Sequence, residues 1–152
     1  MIHIIHRIGI RSASGNVYNA IATIAGLANW WTKEVAGDEQ LDGQIQFTFR
    51  STTGDLKGQM VMNVTESKPW ECFRWECVAG PDEWIGTVIT FDLSQQDDQT
   101  IVLFGHRNWR EANDFTAHCS MKWAVFLLSL RDYVETGKGK PSPDDLKIDN
   151  WN

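Results

Sequence analysis

Histidines are the side chains best suited to transfer protons near neutral pH, and this chain has four of them. His106 shares the alternation of Val102 and Phe104, so we expect it to project from a strand toward the interior of the protein. An inward histidine can act in acid–base catalysis, but more often it makes one hydrogen bond that orients a ligand or a water molecule. We therefore assign His106 to a binding site, and we assign no catalytic residue.

Tryptophan is unusually abundant, with eight residues in a chain of 152. Large aromatic faces with a few polar tips suit a pocket for an apolar or aromatic ligand, although the same side chains can also fill a solid core. Ten side chains, most of them aromatic, are predicted to face the same cavity inside the protein. The predicted lining of a ligand cavity comprises Trp31, Phe47, Phe49, Met60, Met62, Trp75, Ile89, His106, Trp123 and Phe126.

Metal and cofactor motifs are absent from the sequence. It contains no C-x-x-C pair, no H-E-x-x-H helix, no i,i+4 histidine pair and no glycine-rich phosphate loop. The three cysteines are an odd number, which fits a reducing compartment, and Cys119 falls on the apolar side of a predicted helix. We expect neither a metal nor a cofactor, and no disulfide between Cys72 and Cys77.

The charge and hydropathy of the chain limit the kinds of partner that we expect it to bind. The net charge is −6 and the lysines and arginines are scattered, which argues against nucleic acid or an anionic membrane surface as a partner. No apolar run reaches the about 18 residues that a membrane-spanning helix needs, and the first residues resemble a strand rather than a signal peptide. We expect a cytoplasmic protein that folds as one domain over residues 1–152, with 138–152 as a C-terminal tail.

The clearest predicted element is a long amphipathic helix toward the C-terminus. From Phe115 onward, apolar residues recur at helical spacing in a stripe about 120° wide. Asp114 occupies the expected N-cap position, and Gly137, Gly139 and Pro141 end the helix. A helix with so broad an apolar face must pack against another element. The stripe comprises Phe115, Cys119, Trp123, Phe126, Leu127, Leu130, Tyr133 and Val134.

Alternating apolar and polar residues predict β-strands through most of the remaining chain. The first strand spans about residues 2–10, and a helix capped by Ser14 runs from Gly15 to Leu27, followed by a turn at 29–32. After a polar loop over 36–43, about five strands follow, joined by short polar turns. One sheet followed by one long helix indicates an α+β domain whose helix packs on the sheet.

Three stretches in this order resemble the START-like superfamily, which has the Bet v 1-like or helix-grip fold. They are the double-tryptophan segment V-Y-N-A-I-A-T-I-A-G-L-A-N-W-W-T at 17–32, the hairpin at 86–109, and the helix with its glycines at 123–141. The branch that they resemble most is the family related to the C-terminal domain of the activator of Hsp90 ATPase. The resemblance implies a curved antiparallel sheet of about six strands wrapped around the C-terminal helix, with two short helices after the first strand.

The resemblance implies a cavity more firmly than a function, because this superfamily includes ligand binders, aromatase/cyclases, small-molecule sensors and chaperone activators. We expect a domain that binds a small hydrophobic or aromatic molecule, as a monomer or a weak homodimer, and that is a binder rather than an enzyme. Two alternatives remain open. One is a polyketide cyclase- or dehydratase-like enzyme that uses His106, and the other is an interaction module of the chaperone-activator type.

Overall fold

A computed structural model describes residues 1–152, which form one antiparallel sheet of seven strands and three helices. In the sheet the strand order is β1-β7-β6-β5-β4-β3-β2, so β2 to β7 form a meander whose last strand pairs with β1. The predicted α+β class and helix-grip fold are confirmed. The elements are β1 (Ile2–Ile10), α1 (Ser14–Ala22), α2 (Ile24–Leu27), β2 (Glu34–Gly37), β3 (Gln44–Arg50), β4 (Leu56–Lys68), β5 (Cys72–Ala79), β6 (Val88–Gln96), β7 (Gln99–Trp109) and α3 (Asp114–Thr136).

The sheet has one strand more than the sequence predicts. β2 enters the segment 36–43, which the sequence indicates as a loop, and it pairs with β3 as far as Gly37, opposite Ile45. Among its four residues only Val35 is half-buried, so β2 carries no apolar alternation that a sequence pattern could detect. Backbone pairing with β3 therefore defines this edge strand.

The predicted helix over Gly15–Leu27 is divided into α1 and α2 at Thr23. This residue is extended, and its hydroxyl accepts a hydrogen bond from the backbone N–H of Gly26 at 3.0 Å, so it caps α2. Ser14 is the first residue of α1 rather than its cap, because the N-cap is Ala13, which makes no side-chain hydrogen bond. The two short helices implied by the resemblance are thus present. The first of them ends at Ala22, whereas the sequence predicts a helix that continues to Leu27.

The long helix α3 lies across the sheet, as its apolar stripe predicts. The ring centroid of Trp123, near the middle of the helix, lies 4.5 Å from that of Phe104 on β7 and 5.0 Å from that of Trp31. Register shifts in the pairing of β4 with β5, near Val61 and Val64, bend the strands, which is how a sheet curves around a helix. None of the three helices combines the length and the apolar character needed to span a bilayer.

The ends of α3 are fixed by its own sequence. Asn113, rather than Asp114, is the N-cap, because its side-chain oxygen accepts hydrogen bonds from the backbone N–H groups of Phe115 and Thr116 at 3.1 and 3.2 Å. The Thr116 hydroxyl accepts in return from the Asn113 N–H at 3.2 Å, which completes a capping box. At the other end Gly137 has φ = 86°, a left-handed conformation that glycine adopts without strain. The cap is therefore displaced by one residue from its predicted position.

The C-terminal tail, residues 138–152, packs back on the domain. The Ser142 N–H donates to the carbonyl oxygen of Trp31 at 2.7 Å, and the Lys140 N–H donates to the Ser129 hydroxyl at 2.8 Å. Gly139 lies so close to the segment after α2 that a Cβ added to it would collide with the backbone carbonyl oxygen of Asn29. The tail is thus part of the folded domain rather than a free extension of α3.

The capping geometry of α3 gives a direct test by paired alanine substitutions. Asn113→Ala is expected to lower the free energy of unfolding by about 1 kcal/mol, because two backbone N–H groups lose their acceptor. Asp114→Ala removes only a favourable charge in the first turn and is expected to cost about half as much. Denaturant unfolding of both variants measures the difference, and a larger loss for Asp114→Ala would show that the cap is assigned to the wrong residue.

Candidate functional site

An open pocket lies between the N-terminal half of α3, the β3–β4 hairpin, the loop after β5 and the C-terminal tail. Its volume is about 280 Å³, close to the lower end of the range for small-molecule sites. Polar side chains from the hairpin, the helix and the tail complete its lining. The apolar part of the wall is mostly aromatic and consists mainly of Trp31, Phe49, Met60, Trp84, Phe115, Trp123, Phe126 and Trp151.

The ten residues predicted to line a cavity divide into two groups of five. The division arises because aromatic rings fill most of the space between the sheet and α3. The residues that reach the pocket are Trp31, Phe49, Met60, Trp123 and Phe126. Those that do not reach it and are fully buried in the core are Phe47, Met62, Trp75, Ile89 and His106. Contact of any of the ten with a ligand stays a prediction.

Trp31 lies at the centre of the aromatic packing in the core. Its ring stacks on Trp75 with centroids 5.7 Å apart and planes 9° from parallel, and it lies 4.4 Å from the centroid of Phe47. Trp30 is also buried, although it is adjacent in sequence, and its indole N–H donates to the carbonyl oxygen of Ala20 at 2.8 Å. Trp30 therefore belongs to the core, whereas Trp31 belongs both to the core and to the pocket wall.

His106 points inward as its strand parity predicts, but both of its ring nitrogens are occupied by the protein. The indole N–H of Trp123 donates to Nδ1 at 3.1 Å, so Nδ1 is an acceptor and the proton of the neutral ring resides on Nε2. Nε2 then donates to the hydroxyl of Thr87 at 2.8 Å, and that hydroxyl donates to the carbonyl oxygen of Trp84 at 2.6 Å. This chain of hydrogen bonds fixes one tautomer of His106.

The surroundings of His106 also fix its charge. Burial lowers its pKa from 6.5 to about 3, because a charged imidazolium is poorly solvated in the core. A histidine that stays neutral throughout the physiological range, with no free nitrogen, cannot shuttle protons to a bound substrate. The geometry therefore gives His106 a structural role, in which it joins β7 to α3.

The sequence did not reveal the polar side of the pocket, which comes from the β3–β4 hairpin, α3 and the tail. Lys122 of α3 forms an ion pair with Asp145 of the tail, and Lys147 lies 3.2 Å from the other oxygen of that carboxylate. The side chain of Asp145 is only 4% exposed, so these contacts anchor the tail to the helix. No periodicity marks a segment of this kind, and Trp151 is the only tail residue whose type suggests docking.

His118 provides a second contact between α3 and the tail, and it lines the pocket. Its Nδ1 lies 2.7 Å from Oδ2 of Asp149. Its ring packs beside those of Phe115 and Trp151, with centroids 6.5 and 5.3 Å away. The hydrogen bond with His118 lowers the pKa of Asp149, so this contact favours the carboxylate form.

The three cysteines are buried and free. Burial raises the pKa of Cys77 to about 11 and that of Cys119 to about 12. Thiols of this kind stay protonated at neutral pH and are poor nucleophiles. Cys119 reaches the pocket, where it therefore acts as a small apolar side chain.

Sequence and structure comparisons place the chain in a family. The family model described as Activator of Hsp90 ATPase homolog 1-like protein matches residues 13–135. The chain belongs to this AHSA1-like family. The resemblance in the double-tryptophan segment, the last hairpin and the terminal helix is thereby confirmed. The tail residues that line the pocket lie outside the matched range of the AHSA1-like family.

Solved structures of other proteins share the fold. The Aha1 dimer from Colwellia psychrerythraea, known from a solution structure, has a TM-score of 0.78 at 42% identity, over 91% of this chain and 100% of that one. The AHSA1-like protein from Aeromonas hydrophila has a TM-score of 0.74 at 14% identity, over 90% and 94% of the two chains. Protein CV1439 from Chromobacterium violaceum has a TM-score of 0.75 at 18% identity, over 88% and 96%. A search of curated proteins finds no match.

The environment of His106 predicts a specific pH dependence of stability. Below pH 6.5 the unfolded chain takes up a proton at this residue, whereas the folded chain excludes it until about pH 3, so stability falls as the pH decreases through this window. Between pH 6.5 and about pH 5 the contribution of His106 should decrease by about 1.5 kcal/mol.

His106→Gln serves as the reference, because glutamine does not titrate. The difference in free energy of unfolding between the wild-type chain and His106→Gln, measured by denaturant titration at each pH, should shrink by that amount. A difference that does not change with pH would mean that His106 binds its proton equally well in the folded and unfolded chains.

Proposed function

We propose that this AHSA1-like domain binds a small hydrophobic or aromatic molecule in the pocket beside α3. The observation that carries the proposal is the convergence of aromatic side chains from four parts of the chain, namely Trp31, Phe49, Trp84 and Phe126, on one open pocket. Apolar surface of this kind is unfavourable in water and gains free energy when a ligand covers it. A volume of about 280 Å³ suits a compact molecule of a few aromatic rings rather than a long lipid.

The rigidity of the pocket wall also supports binding. Trp31 is held by its contacts with Trp75 and Trp123, with centroids 5.7 and 5.0 Å away, and its carbonyl oxygen accepts a hydrogen bond from Ser142. A wall that is already ordered loses little conformational entropy when a ligand binds. The pocket is therefore suited to a compact ligand without rearrangement of the core.

The cyclase or dehydratase alternative is less well supported by this geometry. That alternative depends on His106 as the group that moves a proton, yet both ring nitrogens of His106 are hydrogen-bonded within the protein. Its pKa of about 3 places it in the neutral form at physiological pH. A binding function requires neither a free nitrogen nor a titrating group.

A neutral aromatic probe tests the proposal. N-phenyl-1-naphthylamine, whose emission rises in an apolar site, is expected to bind saturably at micromolar concentration. Met60→Trp replaces a flexible thioether of the pocket wall by a bulkier indole that occupies part of the pocket, so it should weaken binding by about tenfold, which corresponds to roughly 1.4 kcal/mol. Met121→Trp is the matched control, because Met121 is 57% exposed on α3 and lies outside the pocket.

Binding curves that are identical for Met60→Trp, Met121→Trp and the wild-type chain would place the probe elsewhere and contradict the proposed site. A linear rise in emission without saturation would contradict binding itself.

A second candidate function is interaction with a chaperone of the Hsp90 type. The family description and the 42% identity to the Aha1 of Colwellia, over the whole length of that chain, favour it. Such a partner requires a cytoplasmic location, which the three free cysteines support. The interaction would use an exposed surface of the domain and would be independent of the pocket.

ATP turnover by a purified bacterial Hsp90-type ATPase tests this second function. If the chain activates the chaperone, turnover should rise severalfold on its addition and saturate with its concentration. Met60→Trp should activate equally well, because the pocket wall is not the interaction surface. Unchanged turnover together with the absence of a complex in co-sedimentation would exclude the function.

The oligomeric state of the chain, predicted above as a monomer or a weak homodimer, stays a prediction. The Colwellia relative is described as a dimer, which supports the homodimer alternative for this chain. Sedimentation velocity distinguishes a monomer of 17.3 kDa from a particle of twice that mass.

A further inference from the structure

The long helix α3 carries a second apolar stripe, on the side turned away from the core. Its members recur at intervals of four, three and four residues, which places them along one flank of the helix. They are Ala117, Met121, Ala124 and Leu128, and we call them the α3 seam. Met121 is 57% exposed and Leu128 is 45% exposed, although both side chains are large and apolar. Spacing of this kind is typical of a helix that packs against a second helix.

The domain itself leaves the α3 seam uncovered. Ala117 is exposed like the two large members, and only Ala124 is half-buried. The tail passes beside the first half of the seam, where an open groove lies between Met121 on the helix and Ile148 and Trp151 on the tail. The groove extends the exposed apolar surface, so the seam has room for a further element at its side.

Each end of the α3 seam has one charged side chain that is unpaired within the domain. Asp114 precedes Ala117 by three residues and Arg131 follows Leu128 by three, so both continue the spacing of the seam. Neither side chain belongs to an ion pair of the domain. One apolar stripe therefore ends in a free carboxylate on one side and a free guanidinium on the other.

The apolar part of the seam is complementary to itself when two copies run antiparallel. A two-fold axis beside the midpoint between residues 122 and 123 pairs each position with the position equally far beyond that midpoint. Met121 then lies opposite Ala124 of the second copy, and Leu128 lies opposite Ala117 of the second copy. Each large side chain meets a small one, which lets two helices pack closely.

The charges agree with the same register. Asp114 lies opposite Arg131 of the second copy, and the two-fold axis repeats this pair at the other end of the seam. A parallel arrangement would instead place carboxylate opposite carboxylate and guanidinium opposite guanidinium, which is unfavourable. Charge and side-chain size therefore favour the same antiparallel pairing.

We propose that the α3 seam is a homodimer interface, at which α3 of a second copy of this chain packs in antiparallel orientation. The proposal rests on the homodimer alternative given above, which the dimeric relative from Colwellia supports at 42% identity. It is independent of ligand binding in the pocket. From residue 114 to residue 131 the seam is about 25 Å long, so the contact is small and is expected to give a weak rather than an obligate dimer.

Charge reversal at the two ends of the seam tests the proposal. Asp114→Arg brings two guanidinium groups together at each end, and Arg131→Asp brings two carboxylates together. Each substitution should weaken the dimer by about tenfold, because two attractive pairs become two repulsive ones. The double variant restores opposite charges at both ends and should dimerise within about threefold of the wild-type chain. Sedimentation equilibrium from about 5 µM to about 1 mM chain measures the dissociation constants.

The single substitutions also control for net charge. They change the net charge of −6 by two units in opposite directions, so a general charge effect would strengthen one dimer and weaken the other. Glu76→Arg is the matched control for Asp114→Arg, because it makes the same change of charge at an exposed position of β5 outside the seam. It should leave the dissociation constant nearly unchanged. Denaturant unfolding verifies that every variant is folded.

Weaker dimers in both single variants, with recovery in the double variant, support the proposal. Equal dissociation constants for all variants overturn the seam as the interface and leave the homodimer intact. Weakening without recovery in the double variant overturns the antiparallel register. A wild-type chain that stays monomeric at the highest concentration overturns both the homodimer and the assignment of the seam to a second copy. The binding of the aromatic probe to the pocket is measured separately, so its success or failure is distinguishable from each of these results.

Discussion

The stacking of Trp31 between the sheet and the long helix is the contact on which the rest of the structure depends. The ring lies within 4.4 to 5.7 Å, centroid to centroid, of Phe47, Phe49, Trp75 and Trp123, so residues from β3, β5 and α3 meet at one side chain. Its backbone carbonyl oxygen accepts the hydrogen bond from Ser142 that holds the tail. The same residue therefore closes the core, positions the tail and forms part of the pocket wall.

The burial of so many indole side chains in the core carries an energetic cost. The N–H groups of Trp75, Trp84 and Trp109 are buried without a hydrogen-bond partner, and each such group costs about 1–3 kcal/mol. Trp123 avoids that cost by donating to His106. The histidine thus serves as an acceptor in the core, which explains why a titratable side chain lies on the interior face of the sheet, where burial keeps it neutral.

Filling the core also explains where the open space lies. In a helix-grip domain the region between the sheet and the helix is the natural place for a cavity, but here aromatic rings occupy most of it. What remains is a pocket displaced toward the β3–β4 hairpin and the tail. The hairpin and the tail bring to this pocket cationic side chains that the core could not accommodate.

Much of the fold could be predicted because its signals are periodic. The apolar stripe from Phe115 to Val134 predicts α3, and the alternation around Phe104 predicts β7 and the inward direction of His106. The edge strand β2 and the tail could not be predicted, because neither has an apolar repeat.

The role of His106 could not be predicted for a different reason. Strand parity gives the direction of a side chain but not its partner, and the hydrogen bond from Trp123 depends on how α3 settles on the sheet. The same limit applies to the polar wall of the pocket, since the pairing of Lys122 with Asp145 joins residues of the helix and the tail through tertiary packing alone.

Mapping of a bound aromatic molecule by amide chemical-shift changes in NMR tests the central claim most directly. If the core is filled and the binding site is the displaced pocket, titration with N-phenyl-1-naphthylamine should shift the amides of the β3–β4 hairpin, the first half of α3 and the tail. Amides around Ile89 and His106 should stay nearly unchanged. Large shifts at Ile89 and His106, with little change in the tail, would show that the ligand enters the space between sheet and helix and would contradict the account.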